Sequence, residues 1–152
     1  MISETEQDKE SRQQDFQGLI DGLNDDLARE YKTIIQYVIF SSTLKGAEYT
    51  DIAEQLKQHA SQELEHAMLV ARQIDYLGGD PTTEPMEPET SEDSKQMLEI
   101  DLRAEEDTIR NYSKRIEMAE RLGHFALSET LRKIIVQEQD HAIDLRDALG
   151  RK

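Results

Sequence analysis

The sequence predicts an all-α fold, a four-helix bundle in up-down-down-up order with a long crossover between the second and third helices. Three observations carry the prediction. Apolar residues recur at alternating steps of three and four along four long stretches, which draws one stripe down the side of each helix. Glycine-centred breaks divide the stretches into two pairs. No stretch alternates polar and apolar residues as a half-buried strand does. Four such stripes are buried most simply against one another.

Residues 1–12 (MISETEQDKESR) are polar and acidic and read as a disordered N-terminal extension to a bundle over 13–152. The first helix, about 13–45, carries a stripe from Phe16 through Ile20, Leu23, Leu27, Glu30, Ile34 and Tyr37 to Leu44. Lys45-Gly46-Ala47 ends it, and Gly suits the left-handed residue after a helix. The second, about 51–77, presents Ile52, Leu56, His59, Glu63, His66 and Val70. GGDPTTEPMEPETS (78–91) follows; its three prolines forbid helix and favour an extended path. Thr90 followed by Asp93, or Ser91 alone, is expected to cap the third helix, about 92–121, with Leu98, Leu102, Glu105, Ile109, Tyr112 and Ile116 on its stripe. Leu122-Gly123-His124 separates it from the fourth, about 125–149, with Leu127, Leu131, Ile134, Glu138, His141 and Leu145. If helices two and three point the same way, the linker must climb roughly 36 Å, and 14 extended residues reach about 43 Å. A tight antiparallel turn would take only about 2–8 residues, so the length favours a crossover.

At 152 residues the chain has the size of one domain. It has no Cys, which removes disulfides, thiolate zinc sites, iron–sulfur clusters and Cys nucleophiles together. No apolar run is long enough to span a bilayer, and no apolar segment follows Met1, so a cytoplasmic protein without membrane contact is expected. Thirty-three acidic residues against 18 basic ones give a net charge of −15. Such a surface repels nucleic acid and anionic lipid and attracts cations.

The informative residues are those that interrupt the stripes. Glu30, Glu63, Glu105 and Glu138 all fall on apolar faces, and His66 and His141 each follow a Glu by three residues, on the same side of the helix. Adding 75 to Glu30, Tyr37, Glu63 and His66 gives Glu105, Tyr112, Glu138 and His141, so both halves share the frame Glu-x6-Tyr-x25-Glu-x2-His, the mark of a duplicated hairpin. The midpoints of 30/63 and 105/138 fall at Gly46 and beside Gly123, which sets the two Glu of each hairpin level. Packing the hairpins together then gathers four carboxylates and two imidazoles. Burying four unpaired carboxylates costs several kcal/mol per ion, and no Lys or Arg lies on the stripes to offset it. Two divalent cations balance four negative charges. Carboxylate and imidazole donors without thiolate suit Fe, Mn or Zn better than Cu(I) or Ca. Tyr37 and Tyr112 read either as core tyrosines needing a hydroxyl partner or as groups that hydrogen-bond the carboxylates or donate an electron. His59, one turn before Glu63, reads either as a satisfied buried histidine or as a metal-access or relay group.

From about residue 16 onward the chain resembles the ferritin-like superfamily of di-iron carboxylate proteins, and within it bacterioferritin. Leu23-Asn24-Asp25-Asp26-Leu27-Ala28-Arg29-Glu30 with Gln36-Tyr37 is similar to its first helix. Gln62-Glu63-Leu64-Glu65-His66-Ala67 is similar to the second, and Asp101-Leu102-Arg103-Ala104-Glu105 and Glu138-Gln139-Asp140-His141-Ala142-Ile143-Asp144 to the third and fourth. The resemblance implies a ferroxidase centre of two Fe ions per chain, with Mn or Zn as substitutes. Glu30 and His66 would hold one iron, Glu105 and His141 the other, and Glu63 and Glu138 would bridge. The implied activity is oxidation of Fe(II) to Fe(III) with O2 or H2O2, for iron storage or detoxification. A rubrerythrin-like peroxidase or a di-iron oxygenase is the alternative on the same centre.

The departures shape the expectations. Leu64 stands where bacterioferritin has its haem-binding Met, so no haem is expected. Gln58 and Gln62 replace the inner-surface His and Asp. Only 11 residues follow His141, so the fifth helix of the large cages is not expected. A homo-oligomer is expected, with a dimer, a 12-mer and a 24-mer all open.

Overall fold

The computed structural model describes residues 3–151. Four helices account for most of them: α1 (Glu6–Thr43), α2 (Thr50–Tyr76), α3 (Ser94–Arg121) and α4 (Phe125–Ala148), with a 3-10 turn at Ala47–Tyr49 between the first two.

The first helix begins at Glu6 rather than near 13, which corrects the expectation of a disordered extension over the described part of 1–12; Met1 and Ile2 lie outside the described residues. Its start is a capping box. Thr5 Oγ1 accepts the Asp8 amide at 3.0 Å, and the Asp8 carboxylate accepts the Thr5 amide at 3.1 Å. Residues 6–15 are exposed all round, so this part of α1 is held by its cap and by continuity with the packed helix, and it has no stripe to betray it. The third helix starts on Asp93, whose carboxylate accepts the Gln96 amide at 2.8 Å; Ser91 in turn accepts the Asp93 amide at 3.0 Å, and Thr90 takes no part in the cap. At the end of α3, Gly123 adopts φ 80° and lets the His124 amide reach back to the Ala119 carbonyl at 2.8 Å, which turns the chain into α4.

Cross-helix contacts give the directions. Between α1 and α3, Asp26 meets Arg115, Glu30 meets Tyr112, and Tyr37 meets Glu105, so these helices run antiparallel. Between α2 and α4, His59 meets Asp144, and His66 meets Gln137, again antiparallel. Each hairpin is itself antiparallel, so the order is up-down-down-up. The segment between α2 and α3 climbs along α1: Asn24 bonds to Asp80 and Thr82, the Met86 amide to the Ala28 carbonyl, and the Glu89 amide to Gln36. Two apolar clusters fill the ends of the bundle. One gathers Leu19, Leu23, Leu27, Val70, Ile74 and Leu131; the other gathers Tyr37, Phe40, Leu56, Leu98, Leu102 and Leu145.

Candidate metal centre

Between the clusters, the four helices bring Glu30, Glu63, His66, Glu105, Glu138 and His141 together, none more than 2% exposed. Glu30 comes from α1 and Glu105 from α3, at matching places on facing helices. Glu63 with His66 comes from α2 and Glu138 with His141 from α4, one helical turn apart in each case. Ligand atoms of Glu30, Glu63, His66 and Glu138 lie within 4.8 Å of one another, and so do those of Glu63, Glu105, Glu138 and His141. Glu63 and Glu138 belong to both groups, so two adjacent positions share two carboxylates.

The donor atoms crowd together at the centre and face one another. Both oxygens of Glu63 and Glu138, one oxygen each of Glu30 and Glu105, and Nδ1 of both histidines are buried and make no well-aligned hydrogen bond. His66 Nδ1 lies 2.8 Å from Glu138 Oε1, and His141 Nδ1 lies 2.9 Å from Glu63 Oε1. Unsatisfied buried polar atoms are costly, and concentrating so many at one point leaves a strong demand for cations. The residues present fit a pair of divalent metal ions: carboxylate and imidazole donors, two shared groups, and no thiolate.

The electrostatics agree. Burial, reinforced by the neighbouring carboxylates, pushes Glu63 and Glu138 well above the usual carboxylate range, and burial raises Glu30. Glu105 goes the other way: burial would raise it, but hydrogen bonding from Glu138, His141 and Tyr37 outweighs that. Burial would lower His66, yet Glu138 and Glu30 together lift it to about 9. The cluster thus shares protons where it holds no cation. Arg115 is the only buried Lys or Arg among the described residues, and it is committed to Asp26 at 2.8 Å rather than to the glutamates.

Around the six stand residues that orient them. The Tyr112 hydroxyl donates to Glu30 at 2.7 Å, and the Tyr37 hydroxyl donates to Glu105 at 2.5 Å, each from one half to the other. Burial first, then the adjacent carboxylates, pushes both tyrosines well above their ordinary value, so both remain donors. His59 stacks on His141 with ring centroids 4.0 Å apart, and its Nε2 lies 3.0 Å from Asp144, whose side chain is 40% exposed. It lies beside the centre without joining either group of four. Unforeseen were Gln62 and Gln137, which face His141 and His66, and the buried pair Gln36–Asp101 at 3.2 Å. Their signal was the repeat itself, since Gln62 plus 75 is Gln137 and Asp26 plus 75 is Asp101.

The family model described as a ferritin-like domain matches residues 20–152. The chain is similar to a ferritin-like, di-iron carboxylate protein of Bacillus anthracis str. Ames, at 37% identity and TM-score 0.85, covering 89% of this chain and 97% of that one. It is similar to the bacterioferritin of Desulfovibrio desulfuricans, at 31% identity over 124 residues, covering 81% of this chain and 69% of that protein. It is also similar to a dodecameric thioferritin of Bacteroides fragilis, described as bacterioferritin-related, at 25% identity and TM-score 0.82, covering 93% of each chain. The chain therefore belongs to the ferritin-like family, among proteins similar to bacterioferritin.

Proposed function

We propose that this protein is a ferroxidase, binding two Fe(II) ions as substrate and passing one electron from each to O2 or hydrogen peroxide. The observation that carries the reading is the pair of four-residue groups sharing Glu63 and Glu138, whose buried donor atoms make no well-aligned hydrogen bond. Each Fe(II) becomes Fe(III), and the two electrons with two protons reduce O2 to hydrogen peroxide or hydrogen peroxide to water. In this reading Glu30 and His66 hold one ion, Glu105 and His141 the other, and Glu63 and Glu138 both. Mn or Zn would occupy the same donors, and Zn(II), which has no accessible higher oxidation state, would pass on no electron. Tyr37 and Tyr112 hold Glu105 and Glu30 by their bonded oxygens and leave the other oxygen of each for the ion. Protons held on the carboxylates leave as cations arrive. Leu64 offers no metal donor, so the reading includes no haem.

Self-association belongs to the same proposal. Ile35, Val38 and Ile39 on α1 and Leu64 and Met68 on α2 are exposed apolar side chains on one hairpin, which suits a second copy of the chain. Storage of the product would need a hollow assembly of such copies; a simple oxidase would not.

Anaerobic titration with Fe(II), followed by air, is the test. Binding should saturate at two ions per chain, one for each group, and oxidation should develop near-ultraviolet absorption. Glu63→Ala and His141→Ala should abolish fast oxidation, and either variant oxidising Fe(II) at the wild-type rate would defeat the proposal. Running the reaction with peroxide in place of O2 identifies the preferred oxidant and hence the peroxidase alternative.

A further inference from the structure

Each half of the chain reaches across to the other half's histidine. Gln137 on α4 presents its Oε1 2.5 Å from His66 Nε2 on α2, and Gln62 on α2 presents its Oε1 2.5 Å from His141 Nε2 on α4. The glutamines are 75 residues apart, as are the histidines, so the contact obeys the repeat. Both glutamines are half-buried, while both histidines are 2% exposed. An amide oxygen only accepts, so a histidine nitrogen facing it must carry the hydrogen. The opposite ring atom, Nδ1, is the one turned toward the carboxylates in both halves.

We propose that Gln62 and Gln137 are positioning residues that hold His141 and His66 with hydrogen on Nε2, presenting Nδ1 of each to a divalent cation between the carboxylates. The proposal rests on the reading of the six side chains as a two-cation site. A metal-bound histidine ordinarily donates its other N–H to a carboxylate, a carbonyl or water. The choice of an amide has a charge reason. Four carboxylates already balance two divalent cations, and a carboxylate at 62 or 137 would add a further negative charge at the rim of each position. The amide fixes the ring at no charge. The crossed arrangement also ties each histidine to the neighbouring helix, so ring orientation depends on α2 and α4 being correctly packed.

The test compares wild-type protein with the Q62L, Q137L, Q62E and Q137E variants. Each is titrated with Co(II), followed by its visible absorption, and loaded with Zn(II) for nitrogen-15 NMR of the imidazoles. Wild-type protein should take two Co(II) per chain, and its Zn(II) form should show slowly exchanging Nε2–H signals for His66 and His141. Leucine removes the acceptor at similar volume. Q62L should weaken the ion held by His141 by about 10- to 100-fold and speed hydrogen exchange at that ring alone. Q137L should do the same at His66. The glutamate variants keep the acceptor and should restore both signals. Zn(II)-loaded protein with hydrogen on Nδ1, or leucine variants binding both ions at wild-type affinity, would overturn the positioning role while leaving the two-cation site intact. Wild-type protein that takes up no Co(II) would overturn the site reading and this inference together.

Discussion

At Glu63 and Glu138 burial dictates protonation in the metal-free protein. Both carboxyls keep their protons well above the ordinary value of 4.5, so above about that pH the folded chain binds more protons than the unfolded one, and stability falls as pH rises. His66 acts in the same direction: its raised value adds stability below the ordinary 6.5, and that contribution is lost as pH climbs through about 9. Thermal melts of metal-free protein should therefore show the midpoint dropping between pH 5 and 9. Zn(II)-loaded protein should melt higher and lose most of that slope, because cations replace the protons; equal slopes with and without metal would contradict the assignment. The six side chains were legible in the sequence because Glu and His are expensive on an apolar stripe and here recur at one offset. The glutamines were not, because Gln at a half-exposed helix position is ordinary and its value lies in which ring its rotamer meets on another helix. Tyr37 and Tyr112 could be placed near the carboxylates, but the crossing of each to the other half follows only from the packing of α1 on α3.

Helices two to four begin and end within about two residues of the sequence expectation, since apolar stripes and glycine breaks both mark them. The start of α1 was missed because its first ten residues are all exposed and carry no apolar stripe, and its Thr5–Asp8 box uses Asp where Glu or Gln is the usual signal. The crossover was readable as extended from its prolines, whereas its attachment to α1 depends on Asn24, Tyr31 and Gln36, which look like ordinary surface polar residues in sequence. The joint between α1 and α3 carries a sharper prediction. Asp26 is 2% exposed and held by both Arg115 and Arg29. Arg115→Ala removes the closer partner and leaves a buried carboxylate with one, so it should cost about 3 kcal/mol in urea unfolding. A Cβ at Gly22 would run into the same guanidinium, which explains why the smallest residue sits there.

The whole chain carries −15 and no helix of the described residues is long and apolar enough to cross a membrane. Against that charge, the exposed apolar side chains of α1 and α2 stand out as a place where copies can meet. Ile39→Glu combined with Met68→Glu should lower the native mass to that of a single chain, 17.5 kDa, while leaving two-ion binding intact because neither residue belongs to the cluster. An unchanged mass would place the contact elsewhere. The extended segment laid along α1 spans the bundle because α3 starts at the end opposite to where α2 stops, as pairing two like hairpins about an axis perpendicular to the helices requires. An unlinked hairpin and its twin would assemble the same donors, so a tandem gene fusion needed to add nothing but a tether. Once tethered, the twins could diverge, and they have: His59 answers to Ile134 and Phe40 to Arg115, so matching places in the two halves carry unlike side chains.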